Sequence, residues 1–138
     1  MRFLVPIDGS GFALNAAEYA GKMAAKLEAD SVDFIYVIVH ESDFMNSAIA
    51  ISDVGEKIGN EALDDAIAAF KKYSDVPTGR FVEFGRSAAN IIVDKAEKEA
   101  YDAIILSSKG KSNLERFLMG SVSTKIVHHA PCTVMLVR

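Results

Sequence analysis

Ile104-Ile105-Leu106-Ser107-Ser108-Lys109-Gly110, followed by Gly120-Ser121-Val122-Ser123, is the stretch from which the fold of this chain can be read. An apolar run stops abruptly at small and cationic residues, as it does where a buried strand ends in a turn that leads to a helix. Such a place turns backbone N–H groups and a helix amino terminus toward one point, where an anion such as phosphate is stabilised. Glycine inside a helix costs roughly 1 kcal/mol relative to alanine, so Gly120 among Leu118, Met119 and Val122 wants a reason. Either the helix begins only near Ser121, or something approaches the backbone there. Both readings favour a ligand pocket.

The same pattern opens the chain, where Phe3 to Ile7 runs into Asp8-Gly9-Ser10-Gly11. Pro6 removes a ladder hydrogen bond and belongs near that strand's end. From Ala13 onward, Ala16, Ala17, Ala20, Met23, Ala24 and Leu27 recur at helical spacing. Val32 to Val39 reads as a second strand with Asp33 as its one misfit, placed near the start. His40 to Ala50 has no clear period and reads as a loop. Ile51, Val54, Ile58, Ala62, Ala66, Ile67 and Phe70 then form a long amphipathic helix, with Ser52 and Gly55 or Asp53 and Glu56 shaping its start. Arg80 to Phe84 is a third strand. Ser87 caps a helix bearing Ala89, Ile92, Val93 and Ala96, and Ala103 to Ser107 is the fourth strand. Ser112 or Asn113 would cap a last helix carrying Leu114, Phe117, Leu118, Val122, Ile126 and Val127. His129-Ala130-Pro131 stops it before a final strand, Cys132 to Val137. Strands alternating with helices over short loops imply a parallel sheet covered on both faces, and 138 residues suit one domain, 1–138.

Half of the residues are apolar and the net charge is −4, which argues against nucleic acid as a main partner despite a local basic patch of Lys109, Lys111 and Arg116. Cys132 is the only cysteine, so it reads as a small apolar residue rather than half of a disulfide. The apolar run at the amino terminus is too short for a signal peptide or a membrane span, so the expectation is a cytoplasmic protein with no membrane partner.

In an open α/β sheet, ligands bind beyond the carboxyl ends of the strands where the strand order reverses. If the strands ending at Asp8 and Ser107 are neighbours there, one crevice receives both loops. Asp8 would then contact a ribose hydroxyl or a metal, or else bond its own backbone as Asp commonly does before Gly. Lys109-Gly110-Lys111-Ser112 contains the tail of a P-loop, but Ile105 stands where the motif needs its first glycine, so a P-loop is rejected. His40, His128 and His129 lack metal-ligand spacing. Ser107, Ser108, Ser121 and Ser123 have no His and carboxylate placed as a triad.

The segment Ser107-Ser108-Lys109-Gly110, nine residues, then Gly120-Ser121 resembles the G-2x-G-9x-G-[S/T] signature of the universal stress protein family. Val5-Pro6-Ile7-Asp8-Gly9-Ser10, Phe34-Ile35-Tyr36-Val37 and the run from Ser121 through Ala130-Pro131-Cys132 are similar to other parts of that family, so the resemblance spans the chain. It implies an α/β Rossmann-like three-layer sandwich with a five-stranded parallel sheet of order 3-2-1-4-5. It also implies a stress-response regulatory module that binds ATP or AMP, with or without Mg. Asp8 would meet the ribose or the metal, and Val37 would hold adenine through its backbone. Gly110, Gly120, Ser121 and Ser123 would bond the phosphates, with Pro6, Ser107, Lys109 and Val122 completing the site. A homodimer would form through Cys132 to Val137. Ser107 departs from the signature's first glycine: if the backbone there needs φ > 0 or close ligand approach, serine weakens binding, and otherwise its hydroxyl adds a hydrogen bond. The alternatives are a dimeric interaction protein of the same fold that binds no nucleotide, or a weak ATPase. For the latter, no base is identified that would position an attacking water.

Overall fold

A computed structural model describes residues 1–40, 45–110 and 119–138, with side chains for all of these but 45–52. The elements run β1 (Arg2–Ile7), α1 (Gly11–Lys26), β2 (Ser31–Val39), α2 (Met45–Lys71), β3 (Thr78–Gly85), α3 (Ala88–Lys98), β4 (Ala103–Ser107), α4 (Ser121–His129) and β5 (Thr133–Val137). The sheet has the order β3-β2-β1-β4-β5 with every neighbouring pair parallel. This is the Rossmann-like arrangement, with β1 and β4 flanking the point where strand order reverses.

Alternation along each strand sends side chains to two separate cores. Phe3, Val5, Ile7, Phe34 and Ile105 face α1 and α2, where Leu63 and Phe70 complete the packing. Leu4, Ile35, Ile104 and Leu106 face α3 and α4, against Ile92, Ala96 and Ile126. Ala13, Ala16, Ala17, Ala20 and Ala24 are all buried, and their small side chains let α1 lie directly against the sheet.

One buried carboxylate ties the amino ends of the strands together. Asp33 on β2 accepts the Gly79 N–H of β3 at 2.9 Å, the Tyr101 hydroxyl at 2.6 Å and the Arg2 guanidinium of β1 at 3.2 Å. A Cβ on Gly79 would stand 2.3 Å from the Asp33 Oδ1, so only glycine lets the strands approach this closely. Burial first, and then the bond to Asp33, pushes the Tyr101 hydroxyl well above the usual phenol range, so it remains a donor at any ordinary pH.

Several boundaries differ from the sequence reading. The loop expected over His40 to Ala50 is helical from Met45 onward, so Ser52 and Asp53 lie within α2 and do not start it. Helix propagation adds a hydrogen bond for each residue fixed, so a strongly amphipathic segment extends into flanking residues of weaker pattern. The first helix starts at Gly11 rather than Ala13, because the Ser10 side chain accepts from the Ala13 N–H as its N-cap. Ser87 caps α3 as expected. Met119 and Gly120 are not helical and α4 begins at Ser121. The expected cap at Ser112 or Asn113, and Leu114, Phe117 and Leu118, lie outside the described residues, as do Lys111 and Arg116.

Asp33→Ala leaves the Tyr101 hydroxyl and the Gly79 N–H without their acceptor, and should lower stability by about 3–5 kcal/mol in urea unfolding. Tyr101→Phe should cost about 1–3 kcal/mol. A loss below about 1 kcal/mol for Asp33→Ala would mean that this network does not hold the sheet together.

Candidate functional site

The crevice begins with a missing donor. Arg2 turns its backbone toward the approach to β4: its N–H donates to the Asp102 carboxylate at 2.7 Å and its carbonyl accepts the Asp102 N–H at 2.9 Å. Because backbone groups alternate sides along a strand, Leu4 and Pro6 face the same neighbour, and Pro6 has no N–H to give it. Registered pairing between β1 and β4 stops at Leu4↔Ile104, whereas pairing between β1 and β2 continues to Ile7↔Tyr36. The two central strands therefore part toward their carboxyl ends.

The loop after β1 is pinned at that opening. Asp8 Oδ1 accepts the Ser10 N–H at 2.9 Å, Gly9 takes the left-handed conformation at φ 81°, and Ser10 caps α1. Asp8 thus bonds its own backbone, as one of the two sequence readings held, while its second oxygen faces across the crevice. There it meets the loop after β4, because a Cβ on Gly110 would stand 2.9 Å from Asp8 Oδ2. The two loops are side by side.

The third wall is the amino end of α4. Gly120 is its N-cap and supplies no side-chain hydrogen bond, so the N–H groups of Ser121, Val122 and Ser123 lack helical acceptors. Two bonds hold this end against the end of β4: the Gly120 N–H to the Ser108 carbonyl at 3.0 Å and the Ser123 hydroxyl to the Ser107 carbonyl at 2.8 Å; Ser108 is itself tied to β5, its N–H donating to the Val137 carbonyl at 2.9 Å. The side chains of Ser121 and Val122 are exposed and that of Ser123 is buried. Ser123 spends its proton on Ser107, which makes it a clamp within the protein.

Ser107 is not strained. Among the described residues only Glu28 and Ala100 are non-glycine residues with positive φ, so the backbone at Ser107 does not require glycine. Its Oγ accepts the Lys109 N–H at 3.1 Å and shapes the turn, which leaves the hydroxyl proton available to another acceptor. Val37 follows Tyr36, the partner of Ile7, and so stands level with Asp8 at the carboxyl end of β2. Val37 packs toward the α3 and α4 side. All ten residues singled out in the sequence thus lie at the carboxyl end of the sheet. Two neighbours were missed: Ser10, and Phe12, whose ring lies beneath the Lys109 ammonium at 5.7 Å from the centroid. Phe12 could have been noticed as a large aromatic beside Gly9-Ser10-Gly11 that lies off the alanine face of α1.

Among the described residues no group of three or more His, Cys, Asp or Glu is arranged to hold a metal ion. Burial pushes the Cys132 thiol up, so it stays protonated.

Fold and loops together define a Rossmann-like α/β protein in which the loops after β1 and β4 and the amino end of α4 meet at the point where strand order reverses. The profile of the Universal stress protein family matches residues 1–138, and the chain belongs to that family. It is 33% identical over 142 residues to a universal stress protein of Methanocaldococcus jannaschii, covering 99% of this chain and 81% of the relative. A universal stress protein from Lactobacillus plantarum superposes with a TM-score of 0.85 at 24% identity, covering 100% of this chain and 97% of that one. The universal stress protein of Archaeoglobus fulgidus, solved in complex with dAMP, gives a TM-score of 0.72 at 19% identity, with 100% and 98% covered. Other structures of this fold were solved with AMP or with cAMP.

Ser123→Ala removes the bond to the Ser107 carbonyl and should cost about 1–3 kcal/mol in urea unfolding. It should also speed amide exchange at Gly120, since the helix end is released from β4. Unchanged exchange at Gly120 would show that the clamp lies elsewhere.

Proposed function

We propose that this chain is a stress-response regulatory module that binds an adenine nucleotide, ATP or AMP, in the crevice between β1 and β4. The observation that carries the reading is the meeting of the Asp8 and Gly110 loops beneath the uncapped amino end of α4. The phosphates would accept from the N–H groups of Gly110, Ser121, Val122 and Ser123, with Ser107 adding its hydroxyl. Asp8 would take a ribose hydroxyl. Pro6 and Val37 would border the base, with the Val37 backbone bonding adenine. The nucleotide complexes of related folds support this choice of ligand.

Magnitudes are consistent with useful affinity. Hydrogen bonds to a charged phosphate contribute roughly 1.5–3 kcal/mol each, and a helix amino terminus adds about 0.3–1. A few of these with base burial reach the roughly −8 kcal/mol of micromolar binding after association costs. Lys109 offsets locally the repulsion from a chain of net charge −4. If Mg accompanies the nucleotide, Asp8 offers a single carboxylate, which suits an ion that keeps its waters and is held mainly by phosphates.

The same reading makes the protein a cytoplasmic homodimer of one domain, paired through β5. That strand is a sheet edge, and Leu136 on it is 39% exposed. Unpaired edges with apolar side chains favour pairing with a second copy. No helix among the described residues is long and apolar enough to cross a membrane.

Calorimetric titration with ATP, and chromatography of nucleotide released by heating the purified protein, test the proposal together. Micromolar binding that Asp8→Ala weakens about tenfold or more is expected. No heat and no released nucleotide, even with magnesium, would refute it. Ser107→Gly should leave ATP affinity equal or slightly lower, because the serine is unstrained. A tenfold gain would show instead that serine obstructs the pocket.

A further inference from the structure

We propose that Phe12 is a positioning residue that holds the Lys109 ammonium at the mouth of the crevice, so that the site selects nucleotides by phosphate-chain length. This deepens the adenine-nucleotide reading and rests on it. Lys109 is not a freely waving surface lysine. It is half-buried, its backbone N–H is fixed by Ser107 Oγ at 3.1 Å, and its ammonium sits 5.7 Å from the Phe12 ring centroid.

The two sides of the sheet give this contact its meaning. Phe12 is the second residue of α1, which covers the face bearing Phe3, Val5 and Ile7. The amino end of α4 stands on the opposite face, where Ile126 packs against Leu4 and Ile104. Val37 belongs to that second face, and so does Pro6, two residues from Leu4 on the same strand. For a nucleotide with its base near Val37 and its first phosphate at the α4 amino end, a longer phosphate chain would run across the ends of β1 and β4 toward α1, where Lys109 rests on Phe12. A monophosphate would end short of it. The ring attracts the ammonium through its negative face without competing as an anion would, so Phe12 keeps the cation in place and leaves it able to meet a terminal phosphate.

A lysine without the ring would sample many rotamers, and ordering it on binding would reduce affinity. Loss of a cation–aromatic contact at a partly exposed site corresponds to about a two- to fivefold change in equilibrium. Phe12→Leu should therefore weaken ATP about two- to fivefold and leave AMP unchanged. Lys109→Met should weaken ATP about tenfold or more and AMP by a smaller factor, so that the ATP-to-AMP affinity ratio falls. The double variant should bind ATP no more weakly than Lys109→Met alone, because the ring acts only through the lysine.

The experiment is calorimetric titration of ATP, ADP and AMP into the wild-type chain, Phe12→Leu, Phe12→Tyr, Lys109→Met and the double variant, with urea unfolding of each. The proposal expects the ATP-to-AMP affinity ratio to fall in Phe12→Leu and to be retained in Phe12→Tyr, which keeps the ring. An equal loss for ATP and AMP in Phe12→Leu, an unchanged ratio, or further loss of ATP binding in the double variant would overturn the assignment to Phe12 while leaving nucleotide binding intact. A wild-type chain that binds none of the three nucleotides would overturn both the assignment and the function on which it rests.

Discussion

Pro6 faces β4 without an N–H to donate, and the rest of the site depends on that missing bond. Below it, Leu4 pairs with Ile104 and the sheet is continuous; above it, β1 keeps its pairing with β2 but not with β4. A parallel sheet with full pairing at its centre would close the strand ends onto one another. Here the strands part, and the loops that follow them fold inward until the Asp8 carboxylate and the Gly110 backbone nearly touch. The α4 amino end then caps the opening, held by the Ser123 hydroxyl on the Ser107 carbonyl and by the Gly120 N–H on the Ser108 carbonyl. One absent donor in a strand thus stands beside the free N–H groups at the start of α4.

The opposite end of the sheet is built in the contrary way. Asp33 joins the starts of β1, β2 and β3 and Tyr101, just ahead of β4. Truncating one partner there strands a buried polar group, a costly outcome. Cohesion is concentrated at the amino ends and openness at the carboxyl ends.

Much of this was legible in the residues. Alternating apolar runs and alanine-rich helical spacing point to the parallel sheet, and the two strands ending in small residues mark its ligand end. The order 3-2-1-4-5 came from the family resemblance of Pro6-Ile7-Asp8-Gly9-Ser10 and Gly110 to Ser121, since periodicity carries no information about which strands are neighbours. What escaped is what depends on partners far apart in the chain. Asp33 looked like a misfit because its partners Arg2, Gly79 and Tyr101 lie 31, 46 and 68 residues away. Phe12 does not stand out in the sequence because its partner is Lys109, on the far side of the crevice. The start of α2 at Met45 escaped for a different reason: a weakly patterned segment is helical there because it continues a strong one. Ser107, where the signature has glycine, needs no positive φ, and its hydroxyl accepts the Lys109 N–H.

A nitrogen-15 NMR titration with ATP tests the central claim most directly, because each wall of the crevice carries its own amide. Binding in the crevice predicts that the amide signals of Gly110 and of Gly120 through Ser123 shift together and saturate with the nucleotide, with those of Asp8 to Ser10 following. The amide of Gly79, bonded to Asp33 at the other end of the sheet, should stay in place. Saturating ATP that leaves the crevice amides unmoved, or that moves only a different surface, would contradict the account.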